Sequence, residues 1–250
     1  MKFSKLMHII IYIILFYIWA SLCEWIIHKY IMHGEVITKS HIKHHISVKL
    51  NQHLQNTVNP YGLVFRIENQ FILFIINCIA ALLLWKLIGL DTWVPWYIII
   101  IAMLISTQLY FWAWNSMHTA YHMHDIKINS YITDSKGDNI IIYGLLPHFN
   151  PNRNSAIYKF MKKYHAIHHM NKGKSKGNYN IVVPFADYIL GTYTPIVDNR
   201  KHFSDPKNIP KSQQEKWLAE HPVFELQIAD DDIVLYRETG KKWEIMPSYF

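Results

Sequence analysis

The sequence has few charged residues and few cysteines. Only 17% of its 250 residues are Asp, Glu, Lys or Arg, whereas 51% are apolar. Because the apolar residues occur in long runs, this composition indicates a membrane protein. The two cysteines, Cys23 and Cys78, both lie in such runs, so we expect buried thiols and no disulfide.

Several motifs of soluble enzymes are also missing. The chain contains no HExxH, which disfavours a zinc metalloprotease. It has no glycine-rich phosphate loop and no dinucleotide fingerprint, so any reducing power must come from a partner protein. We assign the formal net charge of +7 to cytoplasmic loops and lipid headgroups, and we expect no nucleic-acid partner.

Three apolar runs are long enough to cross a membrane. A spanning helix needs about 20 apolar residues, and the predicted spans cover about 6–27, 71–90 and 93–114. The first run could instead be a signal peptide, but Ala-Ser-Leu-Cys is a poor cleavage site and the helical pattern continues beyond it. Residues 140–146 are too few to span, so they are predicted to be re-entrant or interfacial.

Histidine is unusually clustered in this sequence. Ten of the sixteen histidines fall into four clusters, which are His28 and His33, then His41, His44 and His45, then His118 and His122, and finally His165, His168 and His169. Two clusters share the spacing HxxHH, which on a helix places three imidazoles on one face. Imidazole is a common ligand of Fe, Zn, Cu and Ni. Since about four to six ligands fill one coordination sphere, the clusters predict two metal ions.

The remaining histidines are predicted to be solvated or hydrogen-bonded residues without a metal. They are scattered singly along the chain, at His8, His53, His124, His148, His202 and His221. The same reading for the four clusters would require two copies of HxxHH and two spaced pairs to arise by accident. We therefore prefer metal binding for the clusters.

The order of spans and clusters predicts where the clusters meet. The first cluster follows the first span, the second precedes the second span, and the third follows the third span. They therefore share one side of the membrane, and the fourth joins them because no further full span follows. Most Lys and Arg residues lie on that side, which makes it cytoplasmic. The predicted fold class is an all-α integral membrane protein: three to four transmembrane helices with a cytoplasmic helical cap that holds a histidine-rich di-metal site.

The chain divides into two regions in this prediction. Residues 1–199 form the membrane domain, and residues 200–250 form a soluble C-terminal extension of unknown role. In the extension we predict a short helix over 212–221 and a hairpin over 233–246 that turns at Thr239-Gly240. Residues 171–180 are predicted to be a solvated basic loop, with a specific lipid contact as the alternative.

Together, the histidine motifs resemble those of the fatty acid hydroxylase/sterol desaturase superfamily of integral membrane di-iron enzymes. The resemblance covers roughly residues 24–193 and rests on the ordered motifs HKYIMH, HIKHH, HTAYH and HAIHH. The stretches 178–180 and 185–193 look like the segment after the last histidine box in fatty acid and sterol members. The first box looks more like the carotenoid β-ring hydroxylases, and the third has the spacing of the fatty acid 2-hydroxylases.

The resemblance implies a membrane di-iron oxygenase domain over 1–199. Its ten clustered histidines would hold two iron ions, with O2 as co-substrate. The implied activity is lipid hydroxylation, which inserts oxygen into a C–H bond of a fatty acyl, sterol or carotenoid. The sequence lacks the fused cytochrome b5 domain of some members, which implies a separate electron donor of the cytochrome b5 or ferredoxin type.

Two carboxylates near the boxes are candidates to support the metal site. Glu24 stands one turn before His28, and Asp187 follows the last box. Ligating imidazoles usually donate their second N–H to a carboxylate or carbonyl. Glu24 and Asp187 are therefore candidates to accept hydrogen bonds from ligand imidazoles. The alternative is that Glu24 is an interfacial carboxylate and Asp187 a helix-terminus residue.

Two alternative functions remain open at this stage. A lipid desaturase would use the same site, because removal of a second hydrogen replaces insertion of oxygen. A metal transporter or haem-binding membrane protein is the alternative from a different class. Transport should place ionisable ligands in the middle of the spans, whereas these clusters lie at span ends.

Overall fold

The computed structural model is dominated by helices. It describes residues 2–33, 41, 45, 67–122, 132–133, 139–140, 149–171, 173, 176–198, 210, 213, 224–229, 232–239 and 242–245. The helices are α1 (Lys2–Ile26), a π-helix (Ile27–Met32), α2 (Ile67–Leu87), a 3-10 turn (Leu90–Thr92), α3 (Trp96–His122), α4 (Ala156–Met170) and α5 (Phe185–Ile189).

Three helical segments are long and apolar enough to cross a membrane. They cover Leu6–Met32, Gln70–Leu87 and Trp96–His122. This agrees with the three predicted spans, although α3 begins later than position 93 and continues through the third histidine cluster. Cys23 and Cys78 are both free thiols, but they are half-buried, whereas the sequence predicts buried thiols.

The three long helices pack through an apolar core and one polar chain. The core comprises Tyr12, Phe16, Ala81, Leu90, Ile99 and Met103. The Trp19 indole N–H donates to Asn77 Oδ1 at 3.1 Å, and Asn77 Nδ2 donates to Thr107 Oγ1 at 3.4 Å. Because polar groups in the apolar interior need partners, this chain fixes α1, α2 and α3 relative to one another.

The connection between α2 and α3 is short. Gly89 takes a left-handed conformation, with φ of 72°, and the 3-10 turn follows at once. The Thr92 hydroxyl donates to the Gly89 carbonyl at 2.8 Å. The connection therefore lies at the end of the helices away from the histidines.

Above the long helices, α4 covers the ends of α1 and α3. Ser155 caps α4, since its hydroxyl accepts from the Tyr158 N–H at 3.2 Å. Residues buried between α3, α4 and the following loop are Trp114, Ala120, Tyr121, Tyr158, Met161, Tyr164 and Ile181. This second core holds the histidines of α3 and α4 close together.

The C-terminal extension contains a three-stranded β-sheet, which adds one strand to the predicted hairpin and is absent from the predicted all-α fold class. Antiparallel strands β3 (Phe224–Ala229), β4 (Asp232–Thr239) and β5 (Lys242–Ile245) pair in that order, and β3 runs beside α4. The predicted hairpin is confirmed by β4 and β5, whose last pair is Thr239 with Lys242. The sequence signal for β3 was the alternation of apolar and polar residues in FELQIA.

Strands β1 (Ile132–Thr133) and β2 (Asn139–Ile140) form a two-stranded pair. Residues 141–146, predicted to be interfacial, lie outside the described residues. So does the predicted helix over 212–221, except for the helical residue Gln213.

Candidate metal centre

The π-helix at the end of α1 brings the first two histidines together. In an α-helix, residues five apart are separated by about 140°. Here the His33 N–H donates to the His28 carbonyl at 3.1 Å, five residues back. The wider π turn returns the chain to the same face. The two imidazole rings consequently stack, with centroids 5.1 Å apart and an interplanar angle of 17°.

One group of imidazoles gathers around that pair. It consists of His28, His33, His41, His45 and His168, and one nitrogen from each lies within 4.8 Å of all the others. The Nε2 atoms are 3.0 Å apart for His28 and His41, 3.1 Å for His41 and His45, and 3.0 Å for His33 and His168. Nitrogens at right angles on a metal, each bonded at about 2.1 Å, would be about 3.0 Å apart. The spacing thus matches neighbouring ligands on one ion.

A second group lies beside the first. His118 and His122 from α3 meet His165 and His169 from α4, again with one nitrogen each within 4.8 Å. The Nε2 atom of His165 is 2.8 Å from that of His122 and 3.0 Å from that of His169. Both helices present their pairs at i and i+4, the spacing of neighbours on one helix face.

Helix α4 connects the two groups. The sequence predicts that His165, His168 and His169 share a face, but the structure divides them between adjacent groups. His165 and His169 join the second group, whereas His168, displaced around the helix, joins the first. The rings of His45 and His169 stack across the boundary, with centroids 4.0 Å apart. The arrangement is therefore two contiguous pockets of nitrogen ligands that could each hold a metal ion.

Backbone carbonyls orient two of these imidazoles. His168 Nδ1 donates to the Gly177 carbonyl at 2.7 Å, and His28 Nδ1 donates to the Tyr179 carbonyl. A neutral imidazole that donates through Nδ1 carries its lone pair on Nε2. Both lone pairs then point into the first group, as ligation requires. Sequence reasoning did not find Gly177, and it singled out Tyr179 only through the family resemblance.

Glu24 supports this carbonyl segment and does not contact an imidazole. Its Oε1 accepts from the Ile181 N–H at 2.5 Å, and its Oε2 accepts from Asn180 Nδ2 at 3.0 Å and the Tyr110 hydroxyl at 2.5 Å. The prediction that Glu24 accepts from a ligand is therefore wrong. Glu24 lies on α1 one turn before His28, and its side chain faces the loop whose carbonyl orients His28.

Asp187 has a similar indirect position. It accepts from the Tyr164 hydroxyl, from the Asn180 N–H at 2.8 Å and from the Thr192 hydroxyl at 2.5 Å. The predicted bond from Asp187 to a ligand imidazole is not formed. Burial and the adjacent Asp187 raise the pKa of Tyr164, which keeps the phenol protonated as the donor.

Residues 177–180 are buried, in contrast to the solvated loop that the sequence predicts over 171–180. A Cβ on Gly177 would lie 2.2 Å from the Thr192 carbonyl oxygen, so only glycine fits there. Asn178 takes a positive φ of 58°, and its Nδ2 donates to the Thr194 carbonyl at 2.8 Å. This close packing fixes the two carbonyls that orient His28 and His168.

Burial keeps three imidazoles of the first group neutral. It lowers the pKa of His33 to about 3 and holds the pKa values of His45 and His168 well below the ordinary value. Neighbouring positive charge acts in the same direction, from Lys176 among others. Neutral rings with available lone pairs are the form that binds metal.

The structure brings nine of the ten predicted ligands together, and His44 lies outside the described residues. So do His53, His124, His148, His202 and His221, while His8 lies near the far end of α1. All nine donors are imidazole nitrogens, which suit Fe, Zn, Cu or Ni and do not suit Mg or Ca, because those ions prefer oxygen. The residues present thus fit a pair of first-row transition metals.

An apolar cavity of about 540 Å³ runs between α1 and α3 below the metal groups. It begins near Leu90 and Val94 and reaches Tyr110, Ala113 and Val182. Ala113 lies five residues before His118, a rise of about 7.5 Å along α3. The lining is apolar apart from Ser106 and the tyrosine hydroxyls. The remaining lining residues are Ile9, Tyr12, Ile13, Phe16, Tyr17, Ala20, Ile98, Ile99, Ala102, Met103 and Leu109.

A scan against protein-family models found no match, and searches of curated proteins and of solved structures found no similar protein.

Proposed function

We propose that this protein is an O2-dependent lipid hydroxylase with a histidine-ligated di-iron centre. The observation that carries the proposal is the apolar cavity beneath two adjacent groups of largely buried imidazoles. Such a cavity favours an apolar substrate, and the nitrogen ligands favour a redox-active first-row metal. Iron held by His28, His33, His41, His45 and His168, and by His118, His122, His165 and His169, would supply O2 activation and C–H oxidation.

The cavity fits one acyl chain of a membrane lipid. Its lining extends from Ile9 to Ala20 on α1, a rise of about 16 Å, and from Ile98 to Ala113 on α3, about 22 Å. One leaflet contributes about 15 Å of hydrocarbon. The cavity begins at the turn between α2 and α3, so a chain in it would reach from the opposite side of the bilayer towards the metal groups, with its reacting carbon near the upper end.

The residues of this chain have distinct roles in the proposed reaction. The apolar walls bind the substrate and exclude water from the reacting carbon. The Gly177 and Tyr179 carbonyls orient two ligands, and Glu24 and Asp187 hold those carbonyls in place. Electrons would come from a separate donor protein of the cytochrome b5 or ferredoxin type. We place the histidine side and the C-terminus in the cytoplasm, from the excess of Lys and Arg on that side.

Lipid analysis by mass spectrometry tests the proposal. Cells with the protein should contain a lipid species heavier by one oxygen that is absent from cells without it. A His165→Ala variant, which still carries all apolar spans, should lack the product. A species lighter by two hydrogens would instead establish the desaturase alternative. An unchanged lipid profile together with altered metal uptake would contradict the enzyme proposal and favour a metal transporter.

A further inference from the structure

Helix α5 and the residue after it expose three consecutive large apolar side chains. Tyr188, Ile189 and Leu190 are 51%, 62% and 43% exposed. The opposite side of this short helix is buried, with Ala186 and Asp187 facing the protein. Three adjacent exposed apolar residues are unusual on a surface that meets only water. We therefore expect a membrane or another protein to cover this surface.

Hydrogen bonds to α1 give the depth of this segment. The Ser21 hydroxyl donates to the Val183 carbonyl at 3.0 Å and accepts from the Ala186 N–H at 3.0 Å. From Leu6, where the first apolar segment begins, Ser21 lies about 22 Å along the helix, which is less than the hydrocarbon thickness of about 30 Å. The start of α5 therefore lies at a depth within the hydrocarbon thickness of the membrane.

The apolar cavity indicates the same depth for this segment when the depth is measured along α3. Val182, just before α5, lines the cavity with Ala113. Ala113 lies about 26 Å from Trp96, again within about 30 Å of the start of its span. Two helices thus place this segment independently near the upper boundary of the hydrocarbon.

The side chains around the exposed surface are those of a membrane interface. The Tyr188 and Tyr193 rings lie 4.4 Å apart, and the Tyr193 and Tyr164 rings 6.0 Å apart. Lys163 and Phe160 border the same cleft as Tyr193. Tyrosine is enriched at the level of lipid headgroups, and lysine near the membrane surface favours anionic lipids.

We propose that the segment 185–193 inserts into the membrane interface, as an additional membrane contact beside the three long helices. The lipid bilayer is the occupant that covers Tyr188, Ile189 and Leu190. Because this segment also carries Asp187 and joins the loop of Gly177 and Tyr179, the bilayer would help hold the carbonyls that orient His168 and His28. The inference needs the membrane spans but does not depend on the proposed activity.

Fluorescence quenching in vesicles tests the insertion. In a C23S/C78S background, Ile189→Cys is labelled with an environment-sensitive fluorophore and reconstituted in phosphatidylcholine and phosphatidylglycerol. Nitroxide-labelled phosphatidylcholine should quench it strongly, as it quenches the same label at Ile79→Cys, which is 57% exposed in the middle of α2. Aqueous iodide should quench it far less than a label at Gln213→Cys.

Two results would overturn the proposal. Iodide quenching at position 189 as strong as at position 213 would place the segment in water. Protection from both quenchers would mean that protein covers it, for example a second copy of the chain. The unmodified protein provides a second measurement, because a photoactivatable lipid with its reactive group near the headgroup should label the peptide 185–193. Labelling confined to the three long helices would contradict the insertion.

Discussion

At the residue scale, His168 is distinguished from His165 and His169 by the group that it joins. All three lie in one turn of α4, yet His168 points to the imidazoles of α1 and of His41 and His45. The other two point to α3. A single substitution in this turn should therefore affect one pocket more than the other.

Metal content of single variants tests this division. The wild-type protein should hold about two metal ions per chain, purified without oxygen and measured by elemental analysis. His168→Ala and His165→Ala should each retain about one ion and lose lipid oxidation, while membrane insertion continues because the apolar spans are unchanged. His8→Ala, about 30 Å along α1 from His28, is the control and should keep both ions.

One or no metal in the wild-type protein would contradict the di-metal arrangement. Zinc in place of iron would not, because Zn²⁺ binds such sites more tightly than Fe²⁺. Loss of both ions from each variant would mean that the two pockets fold as one unit.

Gly177 provides a second residue-scale prediction. In Gly177→Ala, the new methyl group would collide with the Thr192 carbonyl, which lies 2.2 Å from the Cβ position. The Gly177 carbonyl must then move away from His168, so we expect metal affinity in the first group to fall by about 10- to 100-fold. Competition with a metal chelator measures this loss.

Gly191→Ala is the matched control for that variant. Gly191 also has a positive φ, of 67°, but nothing lies within 4 Å of its Cβ position. It should lose about 1 kcal/mol of stability through backbone strain and keep its metal affinity. Equal chelator resistance of the two variants would show that the Gly177 carbonyl does not position His168.

At the scale of elements, the π-helix predicts an asymmetric response to changes in length. Deletion of the half-exposed Ile31 should return this segment to α-helix, with the two histidines four apart and about 40° from each other. They would still share a face, so the variant should keep about two metals per chain. Insertion of one alanine after Lys29 should place them about 240° apart on an α-helix and remove His33 from the site.

Elemental analysis of both variants distinguishes a loss of alignment between His28 and His33 from a segment that tolerates no change in length. If the deletion removes metal as completely as the insertion, the π turn itself is required. If the insertion keeps both ions, His33 is not a ligand.

The cavity between α1 and α3 predicts a change in substrate length. Ala102 lines it well below the upper end near Ala113. Ala102→Trp should fill the lower part, so that product shifts to shorter acyl chains while the metal content stays at the wild-type value. The chain-length distribution of oxidised lipids gives the readout. Ile79→Trp, which adds the same side chain to the outer surface of α2, should leave the distribution unchanged.

At the scale of the whole molecule, the helix order predicts which surfaces lie on which side. The turn between α2 and α3 is at the end away from the histidines, and Asp91 is exposed there. A membrane-impermeant thiol reagent should label Asp91→Cys from outside the cell in a C23S/C78S background. A reporter fused after Phe250 should read cytoplasmic, in keeping with the Lys and Arg bias. A reporter signal on the other side would reverse the proposed orientation.

The sequence by itself determined the elements whose signal is local. Long apolar runs produce the three long helices because backbone polar groups in a membrane must bond within the segment. The i,i+4 spacing of His118 with His122, and of His165 with His169, already places each pair on one helix face. The hairpin of β4 and β5 likewise follows from its own residues and turn.

Only the tertiary structure decided which histidines share a pocket and what orients them. His28 and His33 meet because α1 changes to a π-helix, which a five-residue spacing does not indicate. His168 joins the first pocket because α4 passes between the ends of α1 and α3. Glu24 acts through a loop distant in sequence, Asp187 acts through the same loop, and the partners of His28 and His168 are backbone carbonyls, which every residue possesses. Such contacts carry no residue-type signal, because they depend on where the folded chain places its backbone.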